Sequence, residues 1–279
     1  MSKDDLQIFV LLSHDVEWGK GGAPLSHILA RKERFDSLTL RNLERKNPYQ
    51  NIPEVLEIEK KLGLRSTFFF RTYVKGSQHP PPPYDVSEYK QDIRHMVSNG
   101  WEVALHSDMT SHDNLESLER EKTSLETVAA TKILGNRVHY TIGSRLDTPL
   151  FQNLSRLSFK YDSSVKYKRE KISKEDFGYF TKEGITVFPI TIMDALIFYY
   201  NVKTEIEILK TIKHAIGMCR RFSRKNRVVT IDWHDCSLKM KFGRKYPEVL
   251  EYLASQKYIC IKRGIDLANM IEKGEIQRC

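Results

Sequence analysis

Seven short apolar runs punctuate this sequence, and knots of acidic, imidazole and guanidinium side chains lie at or just beyond four of them. The runs are Ile8–Leu12, Ser66–Phe70, Glu102–Leu105, His139–Ile142, Thr186–Pro189, Val228–Asp232 and Tyr258–Ile261. Each is short enough for a strand and too short for a buried helix. The segments between them carry apolar residues at helical spacing. Strand and helix in alternation specify an α/β protein on a parallel sheet. Asn51 and Pro53 start one such helix, with Val55, Leu56, Ile58 and Leu62 on its apolar face and Gly63 as its stop. Others are expected over 86–98, from Asn114 onward, and over 204–221, 247–255 and 265–273. Two segments fit no helix or strand cleanly. Gly19–Asn47 is basic and reads as a loop with one helix lying over the site, and His79–Tyr84, with four consecutive prolines, reads as extended polyproline.

With 279 residues, 40% hydrophobic and 29% charged, the chain is long enough for a sizeable core and has a soluble, globular composition. No internal repeat or linker divides it, so one domain over residues 1–279 is expected. The longest apolar runs fall far short of the roughly 18 residues of a membrane span. The first residues, with Lys3, Asp4 and Asp5, do not read as a signal peptide. Cys219, Cys236, Cys260 and Cys279 lie far apart with no C-x-x-C pair, the usage of free thiols in a reducing compartment. A cytoplasmic protein is expected. The net charge of +9 suits an anionic partner, such as a phosphate-bearing glycan or nucleotide-sugar, a membrane surface or nucleic acid, or simply a basic surface. The basic runs 166–171 and 220–225 come with no nucleic-acid motif, so nucleic acid is the weakest of these.

In a parallel barrel, strand C-termini converge on one face. Ser13–Trp18 follows the first run, and Asp15 and Glu17, two apart in extended chain, leave on the same face. His106–Asn114 follows the third run and contains Asp108, His112 and Asp113. Arg137-Val-His139-Tyr140 and Asp232-Trp233-His234-Asp235 complete the set. Imidazoles and a carboxylate are the ligands of a catalytic zinc with one position open for water. A carboxylate base and a histidine acid would then complete amide or ester hydrolysis. Taken singly, each cluster has a plainer reading: a strand-end turn, a core histidine or a salt-bridged arginine.

The order of the clusters resembles the polysaccharide deacetylases, over the stretch from Leu11 to about His234. That resemblance implies a distorted (β/α) barrel with about seven parallel strands. It is nearest to members with an Asp-x-Asp first motif, with Asp15 at the catalytic base and Glu17 at the metal-binding aspartate. Ser66–Phe70 resembles a structural Ala-Thr-Phe-Phe strand. Asn99–His106 is similar to the segment that delivers the first metal histidine, His106. Arg137–Tyr140 resembles an Arg-x-Pro-Tyr motif, in which the arginine orients the base and the tyrosine N–H holds the oxyanion. Tyr161–Ser164 resembles a motif on the far side of the groove, which makes Asp162 a substrate-side residue. Ile231–His234 resembles the final motif, with His234 as general acid. Phe188–Ile190 with Asp194 is similar to a recurring segment that has no derived role.

Three departures stand out: Glu17 replaces aspartate, His139 replaces proline, and the second metal histidine is displaced. The family spaces its two histidines by four residues, whereas His106 and His112 are six apart and cannot share a helix face. His112, with Asp113 behind it, is the expected third ligand, and Asp108 and His139 are the alternatives. The expectation is therefore an enzyme: a metal-dependent hydrolase, with zinc as the divalent cation on Glu17, His106 and His112. Asp15, Arg137, Tyr140 and His234 would be catalytic, and Trp18, Asp162 and Trp233 would bind substrate, with Tyr140 and Tyr161 as further stacking aromatics. The substrate is expected to be an N-acetylated sugar or glycan intermediate, with phosphate-bearing and lipid-linked forms among the candidates. Two other readings use the same fold: a catalytically degenerate glycan-binding protein, and a hydrolase of a non-sugar C–N amide bond.

Overall fold

The computed structural model describes residues 7–74, 76–77, 80–199, 204–222 and 227–276. In chain order the elements are β1 (Ile8–Val16), α1 (Leu25–Leu29), α2 (Ser37–Arg41), α3 (Ile52–Lys61), β2 (Thr67–Phe70), α4 (Lys90–Ser98), β3 (Glu102–Ser107), α5 (Leu115–Ala129), β4 (Gly135–Val138), α6 (Leu150–Arg156), β5 (Tyr161–Asp162), β6 (Phe180–Lys182), β7 (Ile185–Val187), β8 (Ile192–Met193), α7 (Glu205–Phe222), β9 (Val228–Asp232), α8 (Tyr246–Ser255), β10 (Ile259–Lys262) and α9 (Gly264–Glu272). The ten strands make one sheet in the order β6-β7-β5-β4-β3-β2-β1-β9-β8, with β10 also paired to β1. All pairings are parallel except the β6–β7 hairpin. This is a distorted (β/α) barrel, left open between β6 and β8 among the described residues.

β1 is the axis of the sheet. One edge pairs with β9 from Phe9 to Ser13. The other edge is shared, with β10 along Ile8–Leu11 and β2 along Ser13–Val16. Side chains alternate along each strand, so one set faces the surrounding helices and the other the barrel interior. On β2, Phe68 and Phe70 join the large core under the helices, while Phe69 packs inside with Leu11, Ala104, Tyr161, Phe188 and Val228. The same alternation sends Ser13 and Asp15, His106, Arg137 and Asp232 inward, above that apolar plug. The barrel interior is thus mostly apolar toward the N-terminal ends of the strands, where Glu102 accepts from Thr67 and Tyr161, and ionisable at their C-terminal ends. His14, on the outward set, instead meets Glu59 of α3, with Nε2 and Oε1 2.8 Å apart.

Local chemistry sets the boundaries of the helices. Asn114 caps α5 by accepting from Ser117 N–H, and Gly63 ends α3 at φ +67°. Asn51 does not cap α3; its amide donates to the carbonyls of Pro48 and Asp235. The strand expected at 139–142 lies four residues earlier, at Gly135–Val138. Residues 139–142 form a turn in which Tyr140 and Thr141 have φ of +70° and +59°. Gly135 is needed there, because a Cβ would sit 2.2 Å from the Tyr161 ring. Polar Asn136 is buried because its amide donates to Asp162. The segment 19–47 holds two short α-helices and a 3-10 turn at Lys32–Arg34 rather than one helix. No helix among the described residues is long and apolar enough to cross a membrane. Cys279 and His79 lie outside the described residues.

Candidate active site

Arg137 organises the floor. It is fully buried, and one nitrogen, Nη1, donates to Asp15 at 2.7 Å and to Asp232 at 2.6 Å. Its Nη2 donates to Ser13 Oγ at 2.9 Å and Ser163 Oγ at 3.0 Å, and its Nε to the Ser163 carbonyl at 3.0 Å. The guanidinium lies 4.2 Å over the Phe69 ring. Burial pushes the Asp15 carboxyl upward, but the charges of Arg137, His106 and His234 together outweigh it and hold the group below its ordinary value. Asp232, with Asp15 beside it, is pushed up to about 7 by burial and that repulsion. The two carboxylates on one arginine therefore differ in basicity, with Asp15 ionised at neutral pH.

A second set of side chains converges just above. His106 Nδ1 is 2.9 Å from the Arg137 carbonyl, which directs Nε2 toward Glu17 Oε1 at 3.4 Å and Asp15 Oδ2 at 3.6 Å. His139 Nε2 is 3.1 Å from Glu17 Oε2. Glu17, His106 and His139 each present a donor atom within 4.8 Å of the others, as do Asp15, Glu17 and His234. Burial opposes ionisation of Glu17, yet the two histidines bring it well below the ordinary carboxylate value. Burial keeps His139 lowered and therefore neutral, the form that ligates metal. Glu17 Oε2 is buried without a hydrogen bond among the described residues. Two imidazole nitrogens and a carboxylate with an unsatisfied oxygen fit a divalent cation of the zinc type. The Nδ1 of His106 is anchored on a carbonyl, whereas that of His139 has no hydrogen-bond partner among the described residues.

His112 is not brought to this cluster. Its Nδ1 contacts the Met109 carbonyl, its Nε2 is 3.1 Å from Asp113, and it lines a separate cavity with Ile142 and Arg145. A six-residue loop step turns it outward, and β4 supplies His139 in its place. Asp108 is also occupied elsewhere, accepting from Ser77 and Thr110.

His234 follows β9. Its Nδ1 is 2.6 Å from Asp194 Oδ1, and its backbone N–H donates to Asp194 Oδ2 at 3.1 Å. Burial would lower its pKa, but the Asp194 and Asp232 carboxylates override that and hold it well above the ordinary histidine value. Its Nε2 points toward Glu17, 3.8 Å away. The residue that fixes it, Asp194, directly follows β8, the same strand-end position as the other polar clusters; the resemblance singled Asp194 out without a role, and a two-residue strand left no periodic signal to supply one.

A cavity of about 520 Å³ opens over the floor, with Asp15, Glu17, His139 and His234 at its base. Trp18 and Tyr140 line it. Trp18 meets His27 edge to face at 4.6 Å. Two other expected substrate residues do not reach it. Asp162 is fully buried and accepts from Ser164 and Asn136, which makes it a brace for β4 and β5. Trp233 is 1% exposed and packs between Phe198 and Tyr246, on the outward set of β9. Tyr161 is buried beneath the floor, donating to Glu102.

Residues 38–144 match the family model described as polysaccharide deacetylase. No curated protein matches the chain in sequence. Among solved structures, a Mycobacterium smegmatis protein assigned as a polysaccharide deacetylase is 16% identical, covers 98% of this chain and 93% of its own, and has a TM-score of 0.64. The Puue allantoinase is 14% identical over 99% of this chain and 93% of its own, with a TM-score of 0.63. A mutant of BA3943, described as a CE4 family pseudoenzyme, is 13% identical over 95% of this chain and 68% of its own, with a TM-score of 0.53.

Proposed function

From a chain that is a polysaccharide deacetylase relative by sequence over residues 38–144 and by fold throughout, we propose a metal-dependent hydrolase that removes an acyl group, N-acetyl in the first instance, from a sugar. The observation that carries this reading is the paired state of Asp15 and His234. The first is held ionised by Arg137 and the second protonated by Asp194, at one end of one cavity. General acid–base catalysis of amide cleavage needs that starting state.

Glu17, His106 and His139 would hold the divalent cation, zinc by donor type, which when bound polarises an acyl carbonyl and lowers the pKa of water to about 7. Asp15 takes the proton from the attacking water as its oxygen joins the carbonyl carbon. Arg137 fixes the position of Asp15 and keeps it available as a carboxylate. The Tyr140 N–H, in the left-handed turn at the cavity wall, is the donor assigned to the developing oxyanion. His234 gives its proton to the departing nitrogen as the C–N bond breaks, releasing a free acid and an amine. Trp18 offers an aromatic wall for a sugar ring.

The test is release of acetate from N-acetyl sugars by the metal-loaded protein, together with metal content. His139→Ala should lose more metal affinity than the about 10- to 100-fold typical of an outer-shell partner. His112→Ala should keep its metal. Equal metal content in both variants would remove His139 from the ligand set. Release of product from ureides but not from N-acetyl sugars would favour the non-sugar amide reading. Bound metal without turnover of either class would favour the degenerate binding protein.

A further inference from the structure

The cavity that holds the acid–base pair also has a cationic lining. The segment between β1 and α2 contributes Arg31 and Arg34, and Arg169 lines the cavity as well. The Arg34 guanidinium lies on the Tyr199 ring, 3.9 Å from its centroid, and its Nε is buried with no hydrogen-bond partner among the described residues. A guanidinium stacked on a ring directs its N–H donors sideways in its own plane, the geometry that grips an oxyanion with two bonds. Arg31 Nη1 is 3.2 Å from His27 Nδ1. Burial, then Arg31 and Arg34, push His27 down to about 4, so it is neutral at pH 7 and accepts from Arg31 without adding charge. Among the described residues none of Arg31, Arg34 and Arg169 forms an ion pair with a carboxylate. The cavity acids Asp15 and Glu17 sit at the base, and both already face cationic or imidazole partners.

We propose that the substrate is an anionic acylamino sugar, whose phosphate or carboxylate is received by Arg31 and Arg34 while its acyl group reaches the base of the cavity. The acyl half of this statement rests on the deacetylase reading above; the anion half does not. A neutral polysaccharide would leave these cations desolvated under the ligand without a counter-charge, a cost that an oxyanion removes.

The experiment compares N-acetylglucosamine 1-phosphate, N-acetylmuramic acid and neutral N,N′-diacetylchitobiose, by calorimetric binding and by kcat/KM on the metal-loaded protein. At least one anionic sugar should be preferred by about 10- to 100-fold, the worth of one charge-assisted pair. The preference should shrink as salt is raised. The phosphate and carboxylate arms decide which oxyanion is taken. Arg31→Gln/Arg34→Gln, with an unchanged melting temperature, should erase the preference while leaving binding of the neutral sugar in place. Equal handling of neutral and anionic sugars by the native protein overturns the proposal without need of the variant, as does a preference that survives the double substitution. Arginine-dependent binding of an anionic sugar with no acyl release would uphold the anion site and overturn the deacetylase reading. Acyl release without anionic preference would do the reverse.

Discussion

Asp15 and His234 are both buried, and burial alone would neutralise both. Each keeps its charge through a leading partner, Arg137 for the first and Asp194 for the second, with His106 and His234 adding to the one and Asp232 to the other. Removing the partner should therefore change protonation as well as position. Asp194→Asn keeps the shape of the hydrogen bond to Nδ1 but withdraws the charge that holds His234 above the ordinary histidine value. The expected outcome is a fall in kcat of about 10- to 100-fold, less than the roughly 100- to 10,000-fold of losing the general acid outright. The alkaline limb of the kcat profile should also move to lower pH, measured from pH 5 to 9. A fall in kcat with an unmoved limb would mean that Asp194 only positions the ring. Much of this residue-scale chemistry was legible in the sequence, because Asp15, Glu17, His106, Arg137 and His234 each sit at a strand end. Asp194 and His139 were less legible. One follows a strand of two residues, and the other was read as the start of a strand that in fact ends at Val138.

At the scale of elements, α5 is tied to the strand ends by one acid. Glu121 accepts from Thr72 Oγ1 beyond β2 and from Asp108 N–H beyond β3. Burial, outweighing these hydrogen bonds, raises its pKa from 4.5 to about 7. The folded value lies above the unfolded one, so the folded protein holds this proton more tightly. That contribution to stability is complete below about pH 4.5 and is lost as pH rises through about 7. Glu121→Gln keeps acceptors at the site without the titration. Denaturant unfolding should show the variant gaining on the native chain by up to about 3 kcal/mol between pH 4.5 and 8. A pH-independent difference would mean that Glu121 ionises freely in place. Helix identity was mostly readable from periodicity and caps, as for α5 behind Asn114. The short strands β5, β6 and β8 and the helix α6 were not, since their two to seven residues span too few repeats for a pattern.

Across the whole molecule, the alternating pattern of the sequence was enough to specify an α/β protein on a parallel sheet, and the family resemblance supplied the barrel, while the closeness of Glu17, His106 and His139 depends on how β3 and the exits of β1 and β4 meet. If those side chains form a prearranged cation site, metal binds the folded chain and not the unfolded one. Zinc in 100-fold excess over its dissociation constant should then add about 2.7 kcal/mol. For a chain of this size that is a rise of roughly 5 to 10 °C in melting temperature. It should be reversed by a chelator and absent from Glu17→Ala/His106→Ala. An unchanged melting curve would mean the three donors do not act together. The two-sided pairing of β1 bears on how such a chain is made. Asp15 and Glu17 belong to the first strand and its exit, yet β1 gains its neighbours β9 and β10 only from residues 228–262. During synthesis β1 can therefore pair with β2 early, but its opposite edge stays open until residues 228–232 have followed. That delay favours slow, late maturation and gives chaperones a window in which a sticky, half-built sheet edge needs cover.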